Sequence, residues 1–355
     1  MRFPASLSGA LTGHFLKNAL KGQKRFPLVL MLEPTLRCNL LCAGCDRIRL
    51  FATGRFRDLT IGECLEAASD SSAPVITVTG GEPLLYEGLE ELLERLIRMK
   101  RHVILCTNGL LAASFVEEFN PHPRLTLSFH LDGMEQTHDR VTGRQGTFAK
   151  GIEALKKAKQ RGFRVYTNTS VYKWTDTDEM MRLFSMLKGL GADAILVAPA
   201  FGYESVADDI FLTKEEVNER FRQTRGILET LPMLGTPLYL DFLAGIERLE
   251  CTPWGNPTRN PSGWKSPCYL ITDAYYPSFS DLMEKTPWEN YGPGRDRRCA
   301  DCMVHAGFEA TAMRECFAHP RKMLRMLVWN MRPVRNKEGL DPRGAPDQGD
   351  YGAPE

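Results

Sequence analysis

The 355-residue chain has no apolar run approaching the roughly eighteen residues of a membrane-spanning helix, which argues against an integral membrane protein. It has almost no net charge either: a balance of +1 at pH 7 gives no reason to expect a nucleic-acid partner. A secretory signal is missing as well. The opening "MRFPASLSGALTGHFLKNALKG" starts positive, but His14, Lys17 and Lys21 interrupt any apolar h-region. The rest of the composition, 43% hydrophobic and 25% charged, is that of a globular chain long enough for a large core with or without an appendage. What stands out against these absences is cysteine, ten residues of it. Thiols in a chain with no secretion signal imply a reducing, cytoplasmic setting, where clustered cysteines mean metal or chemistry.

Short apolar, β-branched runs alternate with helical patterns. The runs are "FPLVLMLEP" (26–34), "APVITVTGGEP" (73–83), "HVILCTNG" (102–109), "RLTLSFHLDG" (124–133), "FRVYTNTSVY" (163–172) and "ADAILVAPA" (192–200). Between them, "LTIGECLEAASD", "EGLEELLERLIRMK", 147–161 and 177–190 have helical spacing, the second apolar at 89, 92, 93, 96 and 97. Six strands with crossover helices predict a parallel sheet covered on its outer face. The expected fold class is α/β, a partial (β/α)6 TIM-like barrel over 28–205 with a loop-rich, cysteine-containing C-terminal extension. Four domain-level segments follow: a basic amphipathic segment at 1–27, the barrel, a substrate or lid domain at 206–335 and a disordered tail at 336–355. Several strands end in polar or glycine clusters, and carboxyl ends of strands are where such folds build sites.

Three cysteines, Cys38, Cys42 and Cys45, sit in "TLRCNLLCAGC" directly after the first strand. A structural zinc site wants four protein ligands and a conventional ferredoxin cluster four cysteines, so three thiols at gaps of three and two fit a 4Fe–4S cluster with one open iron. Zinc, or surface thiols with no metal, are the alternatives at this point. Gly80, Gly81, Glu82 and Pro83 end the second strand, where residues without side chains let backbone approach a ligand; a plain βα turn would look the same.

Together, the Cx3Cx2C and GGEP motifs resemble the radical S-adenosylmethionine (SAM) enzymes. The resemblance implies that Cys38, Cys42 and Cys45 hold three irons and that the methionyl group of the cofactor chelates the fourth. One electron from the cluster then splits the sulfonium into methionine and a 5′-deoxyadenosyl radical. It also implies that Gly80 to Pro83 face the cofactor's amino group, that Asp132, Asn168 and Ser170 contact its ribose or carboxylate, and that "VAPAFGYE" lies at its adenine. Longer stretches, among them "KRFPLVLMLEPTLRCNLLCAGC", "LCTNGLLA", "HLDGMEQTHDR", "YLDFLAG", "CTPWGNPTRN" and "CADCMVHAGFEATA", resemble the family of adenosylhopane synthases over roughly 20–320. Asp46 and Arg47 depart from it where a glycine and a lysine are expected, and Ala306 where another cysteine is expected. This implies a transferase that adds the adenosyl radical to the terminal alkene of a hopene such as diploptene. A hydrophobic polycyclic isoprenoid is then the substrate, and a reductase, ferredoxin or flavodoxin the electron donor. Cys106, closing the third strand, becomes the candidate hydrogen-atom donor to the tertiary radical left by addition, because a thiol S–H is weaker than the C–H formed. Without the resemblance it reads as a buried structural thiol, as Cys64 and Cys316 do.

Cys251, Cys268, Cys299 and Cys302, the last two as C-x2-C, are candidate ligands of a second metal site; wide spacing leaves unmetallated thiols as the alternative. Trp254 and Trp264 nearby offer either aromatic surface to an apolar ligand or core packing. Both ends of the chain mix apolar and basic residues. Leu7, Leu11, Phe15 and Leu16 share a helical face near Lys17, Lys21, Lys24 and Arg25, and Arg321, Lys322, Arg325 and Arg332 intersperse Met323, Leu324, Leu327, Val328 and Trp329. Such helices more often dock on their own domain, but a substrate dissolved in a bilayer favours peripheral contact with the inner face of the cytoplasmic membrane.

Overall fold

The six expected strands are β1 (Val29–Thr35), β2 (Val75–Gly80), β3 (His102–Thr107), β4 (Leu125–His130), β5 (Arg164–Val171) and β6 (Ala194–Pro199). The computed structural model of the protein describes residues 3–46, 57–206 and 209–331. The expected tail, Arg47 and Arg332 lie outside the described residues.

All five pairings from β1 to β6 are parallel, with neighbours in chain order, as right-handed crossovers through helices produce. The helices cover one face. Leu92, Leu93 and Leu96 of helix Leu89–Arg98 are fully buried, as their 3.6-residue spacing requires. Helix starts are fixed by side chains: Thr60 and Thr213 form capping boxes with Glu63 and Glu216, and Asp176 caps helix Thr177–Gly189. Pro34, the last residue of the first apolar run, sits inside β1 near its end, where the register with β2 slips between Leu32 and Thr35.

The sheet does not end at β1. Strand β7 (Thr258–Asn260) pairs with it in parallel, and β8 (Gly263–Pro267) and β9 (Thr272–Tyr276) continue antiparallel, giving nine strands in the order 6-5-4-3-2-1-7-8-9. The segment containing "CTPWGNPTRN" therefore enters the sheet, an arrangement its short and loop-like runs did not disclose. Trp254 and Trp264 are buried in the main core, so of the two readings for them the packing one holds.

Side-chain alternation divides the sheet cleanly. Leu30, Leu32, Ile76, Val78, Val103, Leu105, Leu125 and Leu127 face the helices in the core. The intervening residues, Val29, Met31 and Glu33 on β1, Thr77 and Thr79 on β2, Ile104 and Cys106 on β3, Ser128 and His130 on β4, Tyr166, Asn168 and Ser170 on β5, and Leu196 and Ala198 on β6, line one large cavity on the opposite face.

The N-terminal helix Ala5–Leu20 lies against the body of the protein. Phe15 stacks on Phe317 with centroids 4.2 Å apart, and Leu7 and Leu11 reach the cavity, whereas Leu16 is 53% exposed. Helix Pro320–Met331 docks through buried Trp329 and through Lys322, which donates to Glu315 and Glu247, and Arg325, which pairs with Asp241. Among the described residues no helix is long and apolar enough to cross a membrane.

Candidate active site

The cysteine loop follows β1 and is tied down at many points. Gly81 N–H donates to Thr35 O (3.0 Å) and Glu82 N–H to Arg37 O (2.7 Å), so the loop runs against the end of β2. These contacts explain the two glycines. A Cβ on Gly80, which has φ +119°, would stand 2.3 Å from Thr35 O, and one on Gly81 would stand 2.0 Å from Arg37 O. Further along, Asn108 Nδ2 donates to Asn39 Oδ1 (2.7 Å), Ala43 N–H to Val141 O (2.9 Å), and Arg37 pairs with Asp58 at 2.5 Å. Gly44 is in close contact with Tyr172, whose ring would lie 2.7 Å from any added Cβ. Tyr172 is buried and stacks on Trp174 at 5.0 Å, clamping the loop from the end of β5.

Glu82 does not reach out to solvent. It is buried, with Oε1 accepting from Thr107 Oγ1 (2.9 Å) and Leu84 N–H (3.2 Å), and Oε2 accepting from Asn108 N–H (2.8 Å). Burial pushes its carboxyl up to about 7 against the pull of those donors. Its role is to knit the ends of β2 and β3 together beneath the cysteine loop. Gly81 N–H and Glu82 N–H both serve the loop.

Asp132, Asn168 and Ser170, all singled out in the sequence, do come together, around a residue that was passed over. His130 Nε2 lies 2.9 Å from Asp132 Oδ2, and its Nδ1 lies 3.3 Å from Asn168 Nδ2. Asp132 Oδ1 accepts from Ser170 N–H at 2.7 Å, and Asp132 N–H donates to His138 Nδ1 at 3.2 Å. Burial opposes the charge on His130, but Asp132 outweighs it and raises the imidazole above its usual range. Burial likewise works to raise Asp132, and the charge of His130 holds it low. Asp132 is thus a buried brace between β4 and β5 at the cavity wall, with His130 and Asn168 beside it. The quoted run "HLDG" contained the signal: alternation along β4 puts His130 on the same face as Ser128.

The cavity measures about 540 Å3, within the usual range for a small-molecule site. All three loop cysteines, Gly80, Gly81, Glu82, Cys106, Asp132, Asn168 and Ser170 line it; Pro83 is buried beside it. From the cysteine loop the cavity extends to Leu7 and Leu11 at one side and to Tyr269, His305, Glu309 and Met313 of the C-terminal region. Burial lowers His305 to about 4 and raises Glu309 to about 7, so near neutral pH His305 is uncharged and Glu309 is only partly ionised. Neither residue stood out in the sequence. Cys64 and Cys316 are buried in the core, as expected of structural thiols.

Residues 32–187 match the profile of the radical SAM superfamily, and residues 195–326 match a domain of unknown function, DUF3463. Residues 32–187 thus form a radical SAM domain. Among its curated relatives, an AdoMet-dependent heme synthase of Methanosarcina barkeri is 32% identical over 47% of this chain and 49% of that protein. A GTP 3′,8-cyclase of Thermodesulfovibrio yellowstonii is 28% identical over 67% of this chain and 80% of that protein. The chain spans about half the length of the first of these relatives. The fold is shared with Streptococcus suis SuiB bound to the precursor peptide SuiA (14% identity, TM-score 0.60, 85% of this chain and 76% of that one). It is also shared with anSMEcpe with bound AdoMet and a peptide (17% identity, TM-score 0.54, 86% and 99%).

The cofactors of a radical SAM enzyme are a 4Fe–4S cluster and S-adenosylmethionine. The donor set fits the cluster. Burial raises the Cys42 thiol above its usual range, and Cys45, Asp132 and Cys38 raise it further. An iron corner bound as the proton leaves removes that penalty. His138 adds an orphaned polar atom on the cavity wall: with Nδ1 accepting from Asp132, its buried Nε2 has no partner.

Proposed function

We propose that the protein is a radical adenosyltransferase that joins the 5′-deoxyadenosyl group to the terminal alkene of a hopene such as diploptene, giving adenosylhopane. The observation that carries this reading is that Cys106 shares one cavity, on the same sheet face, with the three loop cysteines. When bound, the reduced cluster would supply the electron that splits S-adenosylmethionine into methionine and the 5′-deoxyadenosyl radical.

The wall of the cavity favours an apolar acceptor over the substrate named for the GTP 3′,8-cyclase relatives. Val29, Met31, Ile104, Leu196 and Leu234 form its floor, and Leu7, Leu11 and Met313 its flank. Among the described residues, Lys265 is the one lysine or arginine on the wall, and its ammonium donates to Tyr269 O at 2.7 Å. A triphosphate would normally be met by several cations. Addition forms a C–C bond at the alkene's terminal carbon, breaks its π bond and leaves a tertiary carbon radical. Cys106 would give that carbon its thiol hydrogen atom, and an external donor of the ferredoxin or flavodoxin kind would return the resulting thiyl to thiol with one electron and a proton. Position decides the rate of such a transfer, and a strand residue fixed by ladder pairing to Ser128 is well placed to hold it.

Delivery of a bilayer-dissolved substrate is supported by an exposed apolar stripe. Leu324, Leu327, Val328 and Met331 lie on one side of helix Pro320–Met331, with exposures from 37% to 64%. This stripe would rest on the membrane surface while Trp329 and the ion pairs of Lys322 and Arg325 hold the helix to the protein.

The test is an anaerobic assay of reconstituted protein with S-adenosylmethionine, reductant and diploptene, read by mass spectrometry. An adduct carrying the whole adenosyl group is expected, and Cys106→Ala should lower its yield by about tenfold or more while methionine release continues. Methionine and 5′-deoxyadenosine without adduct would sink the acceptor assignment.

A further inference from the structure

The sheet face that lines the large cavity changes in polarity along its strands. At the amino ends Val29 pairs with Val75, and the next row facing the cavity joins Met31, Thr77 and Ile104. Cys106 stands one row further on, paired with Ser128, which pairs in turn with Tyr166. Beyond that row come His130 and Asn168, toward the carboxyl ends, where the cysteine loop leaves β1. β1 is seven residues long and so spans about 20 Å. The cavity reaches from Val29 to Cys38 and therefore has an apolar end and a polar end, with Cys106 between them.

The polar end carries Cys38, Cys42 and Cys45, the place for the cluster and S-adenosylmethionine. The apolar end is covered by the N-terminal helix Ala5–Leu20. Phe3, Leu7 and Leu11 succeed one another at intervals of four, which puts them on one side of the helix and its lead-in, and all three line the cavity. Leu11 and Val29 pack together on Phe26, Leu28 and Ala310, and His14 Nε2 lies 2.8 Å from Pro27 O, so the helix crosses just before β1 begins. This cover is lightly held. Asn18 is the one buried residue of the helix among those described, and a Cβ on Gly9 or Gly13 would meet nothing within 4 Å. Phe3 N–H donates to Asn330 Oδ1 at 2.8 Å, which hooks the cover to helix Pro320–Met331. Segments with few buried contacts open locally while the core stays folded. The outer side suits an anionic lipid surface: no Asp or Glu precedes Glu33, and Lys17, Lys21, Lys24 and Arg25 are exposed around Leu16 and Leu20.

We propose that the acceptor occupies the amino-terminal end of this cavity and enters it beneath helix Ala5–Leu20, opposite the end that takes S-adenosylmethionine, with Phe3, Leu7 and Leu11 as the floor of its site. The proposal rests on the acceptor being the apolar alkene argued for above. A rigid polycycle laid along β1 then points its alkene up the strands to the row of Cys106, where the apolar and polar halves of the cavity meet. Arrival from the carboxyl end would instead drag an apolar skeleton past His130 and Asn168 and through the place of the cofactor. Entry beneath the helix leaves that end undisturbed and opens next to the exposed apolar stripe of helix Pro320–Met331, to which Phe3 is hooked.

The experiment maps where the acceptor sits and how it arrives. A pentacyclic 1,1-disubstituted alkene, with a diazirine on the ring farthest from the alkene, is added in detergent to reconstituted protein saturated with S-adenosylmethionine and kept without reductant. Irradiation and peptide mass spectrometry should place the label within residues 3–29 or on Met313, in the same yield as without S-adenosylmethionine. A label on Phe201 or Tyr203, just past the carboxyl end of β6, or a label lost once S-adenosylmethionine is bound, would overturn the proposal. With reductant, Leu7→Trp and Leu11→Trp raise the floor. Each should cut adduct formation from the pentacyclic alkene by about tenfold or more relative to a bicyclic alkene with the same terminal group. Thr12→Trp, on the exposed side of the same helix, should keep the wild-type preference. Circular dichroism separates a changed site from a lost fold, and folded floor variants with the wild-type preference would also overturn the proposal. A label at the floor with no adduct from any alkene would support this site and sink the reaction proposed above.

Discussion

Replacing Gly81 by alanine tests how the cysteine loop is held, and the structure sets the size of the effect. The new Cβ would stand 2.0 Å from Arg37 O, 2.4 Å from Arg37 C and 2.6 Å from Leu36 O, all backbone atoms with no rotamer to escape by. The loop must retreat by about 1 Å or more to restore ordinary contact. That movement breaks or stretches the bonds from Gly81 N–H to Thr35 O and from Glu82 N–H to Arg37 O, both beside the buried Glu82. Two such bonds, with partners left unsatisfied, amount to roughly 2–5 kcal/mol. In a chain of this size the midpoint of thermal unfolding should fall by about 3–7 °C. The loop carries Cys38, so iron bound by the loop cysteines should fall with it. Gly9→Ala is the control, since nothing lies within 4 Å of its Cβ in helix Ala5–Leu20; it should be neutral or add up to about 1 kcal/mol. If Gly81→Ala unfolded at the wild-type temperature and bound wild-type iron, the close approach of the loop to β2 would not be what holds it.

Glu309 predicts a pH dependence. Burial raises its carboxyl to about 7, above the roughly 4.3 of an unfolded chain, so its protonated form is favoured by folding. The group costs nothing below the unfolded value, and stability drains away as pH rises from about 4.3 through 7. Glu309→Gln, which keeps an oxygen for Thr236 N–H, should therefore stabilise the protein at pH 8 by on the order of 2 kcal/mol and have little effect at pH 4.5. Equal shifts at both pH values would contradict the sign. Leu324→Glu/Leu327→Glu, on the exposed stripe, should cut sedimentation with anionic vesicles severalfold without moving the unfolding midpoint by more than a degree or two. Unchanged sedimentation would remove the membrane role of that helix.

Much of this architecture was legible in the chain. Each of the six parallel strands announced itself by a β-branched run and a polar or glycine end, and the cysteine spacing with GGEP pointed to the cluster loop and the strand beside it. Tertiary placement was less legible. The short β7–β9 strands lie among glycines and prolines and gain their structure from the exposed edge of β1, a partner 227 residues away for Asn260 and Glu33. The role of Gly80 and Gly81 reversed in detail: their bare backbone first admits Thr35 and Arg37, and only then shapes a site. His130 was hidden next to the more conspicuous Asp132, because a network through β4 and β5 cannot be seen from one strand. Trp254 and Trp264 were ambiguous because aromatic residues suit a core and a ligand equally.

The most direct measurement is the mass of the product formed in deuterated water. The thiol hydrogen of Cys106 exchanges with solvent, so transfer from it to the tertiary carbon would place one solvent-derived deuterium in an adduct that retains the whole adenosyl group. The account predicts that singly labelled adenosylhopane, and a loss of the label from whatever product Cys106→Ala still forms. An unlabelled adduct from the wild-type protein, or 5′-deoxyadenosine and methionine beside untouched alkene, would contradict it.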